Sequence, residues 1–185
     1  MPRLFIAIDP GAAVRDAAFA AAEPLREAAP HVAWVKPDKL HLTMRFLGET
    51  PDVNVPELLD AMRDVASRHR GMTLALGGVG AFPNFRRARV VWMGVAPEPR
   101  LELLHHDLET AVVRCGYEVE GRAFRPHLTL GRVRERMDEG TLKALGRAAR
   151  ATKFSGEAFV HTMELMESRA GRYVALGSAT LSTNG

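Results

Sequence analysis

The sequence predicts an α+β fold, and three observations point there. Helical and strand-like segments are mixed without the strict strand–helix–strand alternation of a doubly wound parallel sheet. The 185 residues suffice for one domain, or for two small lobes sharing a core, with a real hydrophobic interior. No Pro/Gly/Ser-rich linker or low-complexity tract interrupts the chain, so a single domain over 1–185 is expected.

The elements follow in order. Leu4–Ile8 is an apolar run ended by Asp9-Pro10 and reads as a short buried strand. Ala13–Ala29 is alanine-rich and helical in propensity, with Pro24 placed to bend or divide it. Val32–Val35 is a strand candidate. Leu40–Leu47 alternates strongly and stops at Gly48. Val55–Arg70 is amphipathic: Asn54 can cap it, Pro56 suits its first turn, and Gly71 can close it. Its apolar stripe is Leu58, Leu59, Met62, Val65 and Ala66.

Met72–Val79 reads as a strand, Gly77–Asn84 as a loop, and Arg89–Val95 as a strand. Leu101–Cys115 is a helix stopped by Gly116. Tyr117–Glu120 and Ala123–Val133 have strand character. Asp138 can cap a helix running to about Arg150. Ala158–Met166 and Arg172–Leu181 read as strands around an Ala170-Gly171 turn.

Composition narrows the class. At 46% hydrophobic and 25% charged, the chain is an ordinary globular one. A net charge of +3 and a pI near 9.4 permit an anionic partner without requiring one. The single cysteine, Cys115, excludes an intrachain disulfide and a cysteine-based zinc site. The Leu4–Ile8 run is too short for a signal-peptide core, and no stretch approaches the about 20 apolar residues of a membrane span. A cytoplasmic protein without a membrane segment is expected.

One short pattern occurs twice. His41-Leu42-Thr43-Met44 and His127-Leu128-Thr129-Leu130 lie 86 residues apart, nearly half the chain, as an internal duplication would leave them. Each lies in a strand-like segment with a glycine and an arginine close behind: Arg45 and Gly48, then Gly131 and Arg132. In a strand, residues i and i+2 share a face. His41 and Thr43 therefore face one way, and so do His127 and Thr129, with hydrophobes behind them. Two such strands related by pseudo-symmetry would bring two imidazoles to opposite sides of one ligand. That arrangement serves in-line phosphoryl displacement, with one histidine taking a proton from water and the other giving one to the leaving oxygen. Threonine hydroxyls can hold non-bridging oxygens, and an arginine can stabilise the added charge.

The paired motifs are similar to those of the two-histidine phosphoesterase superfamily. More narrowly, the chain resembles the RNA 2',3'-cyclic phosphodiesterases once named 2'-5' RNA ligases. The likeness runs from Arg3-Leu4-Phe5-Ile6-Ala7-Ile8 through Leu40–Gly48, Gly80-Ala81-Phe82-Pro83, Arg89–Val95 and Phe124–Arg132 to Leu165–Arg169. It implies a bilobal, pseudo-symmetric fold, with antiparallel sheets lining a central cleft, helices outside, and one motif per lobe (41–44 and 127–130). It implies His41 as proton donor, His127 as proton acceptor, and Thr43, Thr129 and Arg132 around the phosphate. It implies hydrolysis to a 2'-phosphomonoester, with 2'-5' ligation as a weak reverse reaction, no cofactor and no metal. RNA ends bearing a 2',3'-cyclic phosphate, tRNA fragments among them, are the expected partners of a monomer.

Further substrate contacts are expected from Arg45, Phe46, Phe82 and Arg125. Arg86, Arg87 and Arg89 beside Phe82 and Phe85 read either as a solvated loop or as a landing site for an RNA end. Trp34 and Trp92 read as core. His31 and His161 have no partner pattern, His105 and His106 point in different directions on a helix and are expected at its solvent face or edge, and His69 in a last helical turn would suit the helix dipole; none of the five is expected to be catalytic. Two rival readings stay open: a phosphodiesterase for small cyclic nucleotides or an ADP-ribose cyclic phosphate, and an RNA-binding module with little catalysis.

Overall fold

The computed structural model describes residues 1–183. Its strands are β1 (Arg3–Ile8), β2 (Ala33–Trp34), β3 (Leu42–Glu49), β4 (Met72–Phe82), β5 (Val90–Val95), β6 (His127–Arg132), β7 (Ser155–Val160), β8 (Thr162–Arg169) and β9 (Arg172–Thr180). Its helices are α1 (Ala12–Ala21), α2 (Glu23–Ala28), α3 (Val55–Ser67), α4 (Pro99–Arg114) and α5 (Glu139–Ala151). The α+β expectation holds, and the strands form one antiparallel sheet in the order β7-β4-β5-β6-β3-β1-β8-β9, with β2 paired to β6.

The sheet falls into halves. β7-β4-β5-β6 and β3-β1-β8-β9 meet at a single ladder pair, Leu42 opposite Leu128. On the far side, only His161 separates β7 from β8, so nearly one continuous strand leaves one half and enters the other. That continuity curls the sheet. α3 and α4 cover the β3-β1-β8-β9 half, and α1, α2 and α5 cover the other. Between sheet and helices lies one core, with Ile6, Leu42, Leu58, Met93, Leu108 and Leu128 fully buried in it. Each such side chain contributes about 1.5–3 kcal/mol. Among the described residues, no helix is long and apolar enough to cross a membrane.

Pro24 divides the first helical stretch as expected, and Asp138 caps α5 by accepting from the Thr141 N–H at 2.9 Å. Asn54 caps nothing through its side chain, because a short helical turn over Asp52–Asn54 runs into α3, which ends at Ser67, ahead of Gly71. The Ala158–Met166 run is two strands, broken at His161.

Two larger expectations fail for identifiable reasons. Tyr117–Glu120 is no strand, since side chains satisfy its backbone: Glu109 accepts from the Glu120 N–H at 2.7 Å, and the Glu118 carbonyl accepts from Arg45. The glycine-rich stretch from Gly77 stays in β4 as far as Phe82. Here glycine makes room within a strand. A Cβ on Gly80 would stand 2.2 Å from the Trp92 ring, and one on Gly77 2.7 Å from the Phe154 carbonyl. Gly78, at φ +71°, forms the bulge between them. Ala123–Val133 is shorter than expected, with β6 beginning only at His127.

Alanine in place of glycine ordinarily steadies a strand slightly. Gly80→Ala is expected to do the opposite. The overpacked Trp92 indole should move, at a cost of about 1–3 kcal/mol, seen as a lower thermal midpoint and altered tryptophan emission. An unchanged midpoint and spectrum would contradict this packing.

Candidate active site

The two motifs meet where the halves of the sheet meet. The antiparallel register at Leu42–Leu128 sets His41 level with Thr129, and Thr43 level with His127. Leu42 and Leu128 are buried, while the two histidines and two threonines are half-buried on the other face. One cleft therefore receives four side chains from two strands.

Each histidine is held the same way. His41 Nδ1 lies 2.8 Å from the Lys39 carbonyl, and His127 Nδ1 lies 2.6 Å from the Arg125 carbonyl, two residues back in each case. A carbonyl only accepts, so both Nδ1 atoms carry the proton and Nε2 becomes the exchanging nitrogen. His41 Nε2 stands 3.0 Å from Thr43 Oγ1. The His41 ring stacks on Phe5 at 5.0 Å and meets Tyr173 edge-on at 5.3 Å. The His127 ring meets Phe82 edge-on at 5.1 Å, with Trp92 at 6.3 Å. Trp92 is a half-buried wall beside His127, while Trp34, also half-buried, packs against the core as expected and covers Gly131.

Burial lowers both histidines below their usual 6.5, because a desolvated imidazolium is disfavoured. The carbonyl bonds oppose this, since they favour the charged ring. The Arg132 guanidinium pushes both down, and His41 also feels the charge of His127 against a weaker pull from Asp9.

A bulge follows each motif and decides which arginine reaches the cleft. Opposite β1, Thr43 pairs with Ala7 and Arg45 with Ile6, leaving Met44 as the extra residue. Opposite β5, Thr129 pairs with Trp92 and Gly131 with Val91, leaving Leu130 extra. Met44 and Leu130 are equivalent positions, 86 residues apart. Each bulge reverses the alternation of faces, so the next cleft-facing residue is Phe46 in one motif and Arg132 in the other.

This corrects the expectation for Arg45, which turns away from the cleft and is only 7% exposed. Its Nε donates to Glu109 at 2.5 Å, its other nitrogens reach the Phe46 and Glu118 carbonyls, and Glu120 lies 3.6 Å away. It binds strand to helix. Phe46, 54% exposed, and Arg132 line a pocket of ≈ 450 Å³ with His41, Phe5, Ser168 and Tyr173, a volume in the range of small-ligand sites. Phe82 lies beside His127, with the exposed Arg125 guanidinium 6.0 Å from its ring.

Sequence reasoning missed Phe5, which the apolar run hid, and Tyr173, which one sequence offers no signal to find. The other histidines have separate surroundings. His69 lies beyond α3, buried, with Nε2 2.7 Å from Asp107, and His105 stacks on Phe124 at 3.8 Å. Among the described residues, no three His, Cys, Asp or Glu side chains cluster as a metal-binding group.

Comparisons with known proteins bear on the family and the fold. The family described as the 2'-5' RNA ligase superfamily matches residues 14–172. An RNA 2',3'-cyclic phosphodiesterase of Methanothermobacter thermautotrophicus is 33% identical over 132 residues, 71% of each chain. One of Archaeoglobus fulgidus is 31% identical over 140 residues, covering 74% of this chain and 76% of the relative. Among solved structures, TT0787 of Thermus thermophilus superposes with a TM-score of 0.79 at 26% identity over 97% of both chains. E. coli LigT in complex with 3'-AMP superposes with 0.73 at 27% identity, over 99% of this chain and 100% of that one.

Arg45→Ala leaves the Glu109 carboxylate without its counter-charge at a half-buried site, still held by the Glu120 N–H. It is expected to cost about 3 kcal/mol, read as a lower urea midpoint, while turnover of the folded protein stays near wild type. Turnover lost without any stability change would return Arg45 to the cleft.

Proposed function

Since the chain belongs to the 2'-5' RNA ligase superfamily, we propose that it is an enzyme that hydrolyses a terminal 2',3'-cyclic phosphate on RNA to a 2'-phosphomonoester. The observation that carries this reading is the matched pair of imidazoles. Both are locked by a carbonyl at Nδ1, both are free to exchange a proton at Nε2, and each is level with the other's threonine.

In this reaction His127 Nε2 takes a proton from water as its oxygen bonds to phosphorus. The bond from phosphorus to the 3' oxygen breaks, and that oxygen takes the proton from His41 Nε2. His127 leaves the cycle charged and His41 neutral, and exchange with solvent restores both. Thr43 and Thr129 hold non-bridging oxygens, and Arg132 stabilises their charge. Phe46 offers a face to the terminal base, with Phe82 and Arg125 on the His127 side. An RNA 5'-hydroxyl in place of water yields a 2'-5' linkage.

The reading carries with it a single two-lobed domain with one motif per lobe, supported by the two halves of the sheet. It also includes a monomer in the cytoplasm acting on RNA ends, tRNA fragments among them. The small-cyclic-nucleotide reading draws on the ≈ 450 Å³ pocket, which suits one nucleoside. Both readings share the chemistry.

An oligoribonucleotide with a 2',3'-cyclic end, incubated with the protein in EDTA, should be converted to the 2'-phosphate. His41→Ala and His127→Ala should each lose ~10²–10⁴-fold in turnover while folding normally. Conversion that requires added metal, or that survives both substitutions, would defeat the mechanism.

The pH profile carries a sign. Turnover needs His41 protonated and His127 neutral. The alkaline limb of kcat/KM reports the higher-titrating member of the pair in the free enzyme and, with both lowered, should lie below 6.5. The bound phosphate anion favours the imidazolium, so the alkaline limb of kcat should lie higher. Arg132→Gln removes a cation that lowers both histidines. Both limbs should then move to higher pH, with kcat down ~10²-fold or more. Limbs that stay put, or move to lower pH, would remove Arg132 from the site.

A further inference from the structure

Many of the arginines are committed to carboxylates: Arg15 to Asp9, Arg26 to Glu23, Arg45 to Glu109, Arg63 to Asp60, Arg68 to Asp64, Arg100 to Glu98 and Arg169 to Glu167. Those at the Arg132 end of β5 and β6 are not. Arg86, Arg87, Arg89, Arg134 and Arg136 are all exposed there. Among the described residues, neither these nor Arg132 has a carboxylate at ion-pair distance.

The sheet brings the five together. Val90 pairs with Arg132, and the Arg89 carbonyl accepts from the Val133 N–H at 2.9 Å. The segments 86–89 and 133–136 therefore leave the sheet side by side, starting from the arginine that lines the cleft. Asn84 shapes the first segment by accepting from the Arg86 and Arg87 N–H groups at 3.0 and 3.2 Å. Of the nearby acids, Asp138 is occupied by Thr141 and Glu139 by Lys143 at 2.6 Å. Glu135 stands between the two arginines of its segment and offsets one of them.

We infer that these arginines form a track for the phosphate backbone of a single RNA strand whose cyclic-phosphate end lies in the cleft. Guanidinium forks match phosphate oxygens and carry no base preference. The pocket beside Phe46 and Tyr173 takes the terminal nucleoside on one half of the sheet, and the preceding nucleotides cross the other half. The track rests on the reaction proposed above and adds to it a preference for polynucleotide over mononucleotide.

The test compares a short single-stranded oligoribonucleotide and a nucleoside monophosphate, each with a 2',3'-cyclic phosphate. The enzymes are wild type, a variant combining R86Q, R87Q, R134Q and R136Q, and the matching lysine variant. The glutamine variant should keep wild-type kcat/KM on the mononucleotide. On the oligomer it should lose ~10-fold or more at low salt, with the slope of log kcat/KM against log salt shallower by about 3. The lysine variant should retain most of that slope, which separates lost charge from lost structure. Wild-type kcat/KM and slope on the oligomer in the glutamine variant would overturn the track and leave the reaction standing. If wild type hydrolyses neither substrate, the reaction falls instead. The track is then judged by oligomer binding in fluorescence anisotropy. Salt-sensitive binding weakened in the glutamine variant upholds it, and binding equal in both proteins overturns it.

Discussion

Everything at the site depends on how little β3 and β6 touch. They share one ladder pair, Leu42 with Leu128. A full ladder between them would draw two histidines and two threonines together at cross-strand spacing, about 4.5–5.5 Å, and leave no room for a phosphodiester. With no pair at all, nothing would fix the register between the motifs. One buried pair supplies alignment and lets the strands part on either side. The rest of the sheet can tolerate so thin a joint because the β7–β8 strand ties the halves together behind it.

The paired bulges make an almost symmetric frame chemically asymmetric. Both motifs place an extra hydrophobe after the threonine and bring the following face round to the cleft. What arrives there differs: an aromatic ring from Phe46, a guanidinium from Arg132. The position before it differs too. Gly131 has no side chain, and a Cβ there would stand 2.6 Å from Trp34, so β2 can lie close. Its counterpart Arg45 fills the equivalent position with a side chain that holds α4 and the segment after it. One half thus presents an aromatic ring to the cleft and the other a guanidinium, although the triplets His-Leu-Thr are identical.

This asymmetry also marks what one sequence could and could not convey. The motifs were legible because residue type and spacing carry them. Pro24, Gly116 and the Ala170-Gly171 turn were legible because local backbone chemistry imposes each. The family resemblance supplied the layout of the fold that periodicity alone left open. Arg45 and Arg132 looked equivalent, each an arginine close behind its motif. Only the bulges, set by pairing with β1 and β5, separate them. Gly77–Phe82 looked like a loop because glycine serves flexibility and close packing alike, and the ring of Trp92 that explains Gly80 lies in another strand. Tyr117–Glu120 had strand composition, but Arg45 and Glu109 took its hydrogen bonds.

The same asymmetry bears on how two nearly equivalent histidines could take opposite roles. Burial and Arg132 disfavour charge on both, and their mutual repulsion disfavours charge on both at once. In the proposed reaction such a pair works with one proton between them at Nε2. Which nitrogen keeps it depends on small differences in surroundings. Asp9 acts on His41, although Arg15 already engages that carboxylate. Thr43 Oγ1 also lies within hydrogen-bond distance of His41 Nε2, where it can accept a hydrogen bond from an imidazolium. Once an anionic phosphate enters beside Arg132, the guanidinium's push is spent on the ligand, and the held proton sits more easily on His41. In the proposed reaction the substrate itself thereby completes the assignment of acid and base that the repeated motif leaves open.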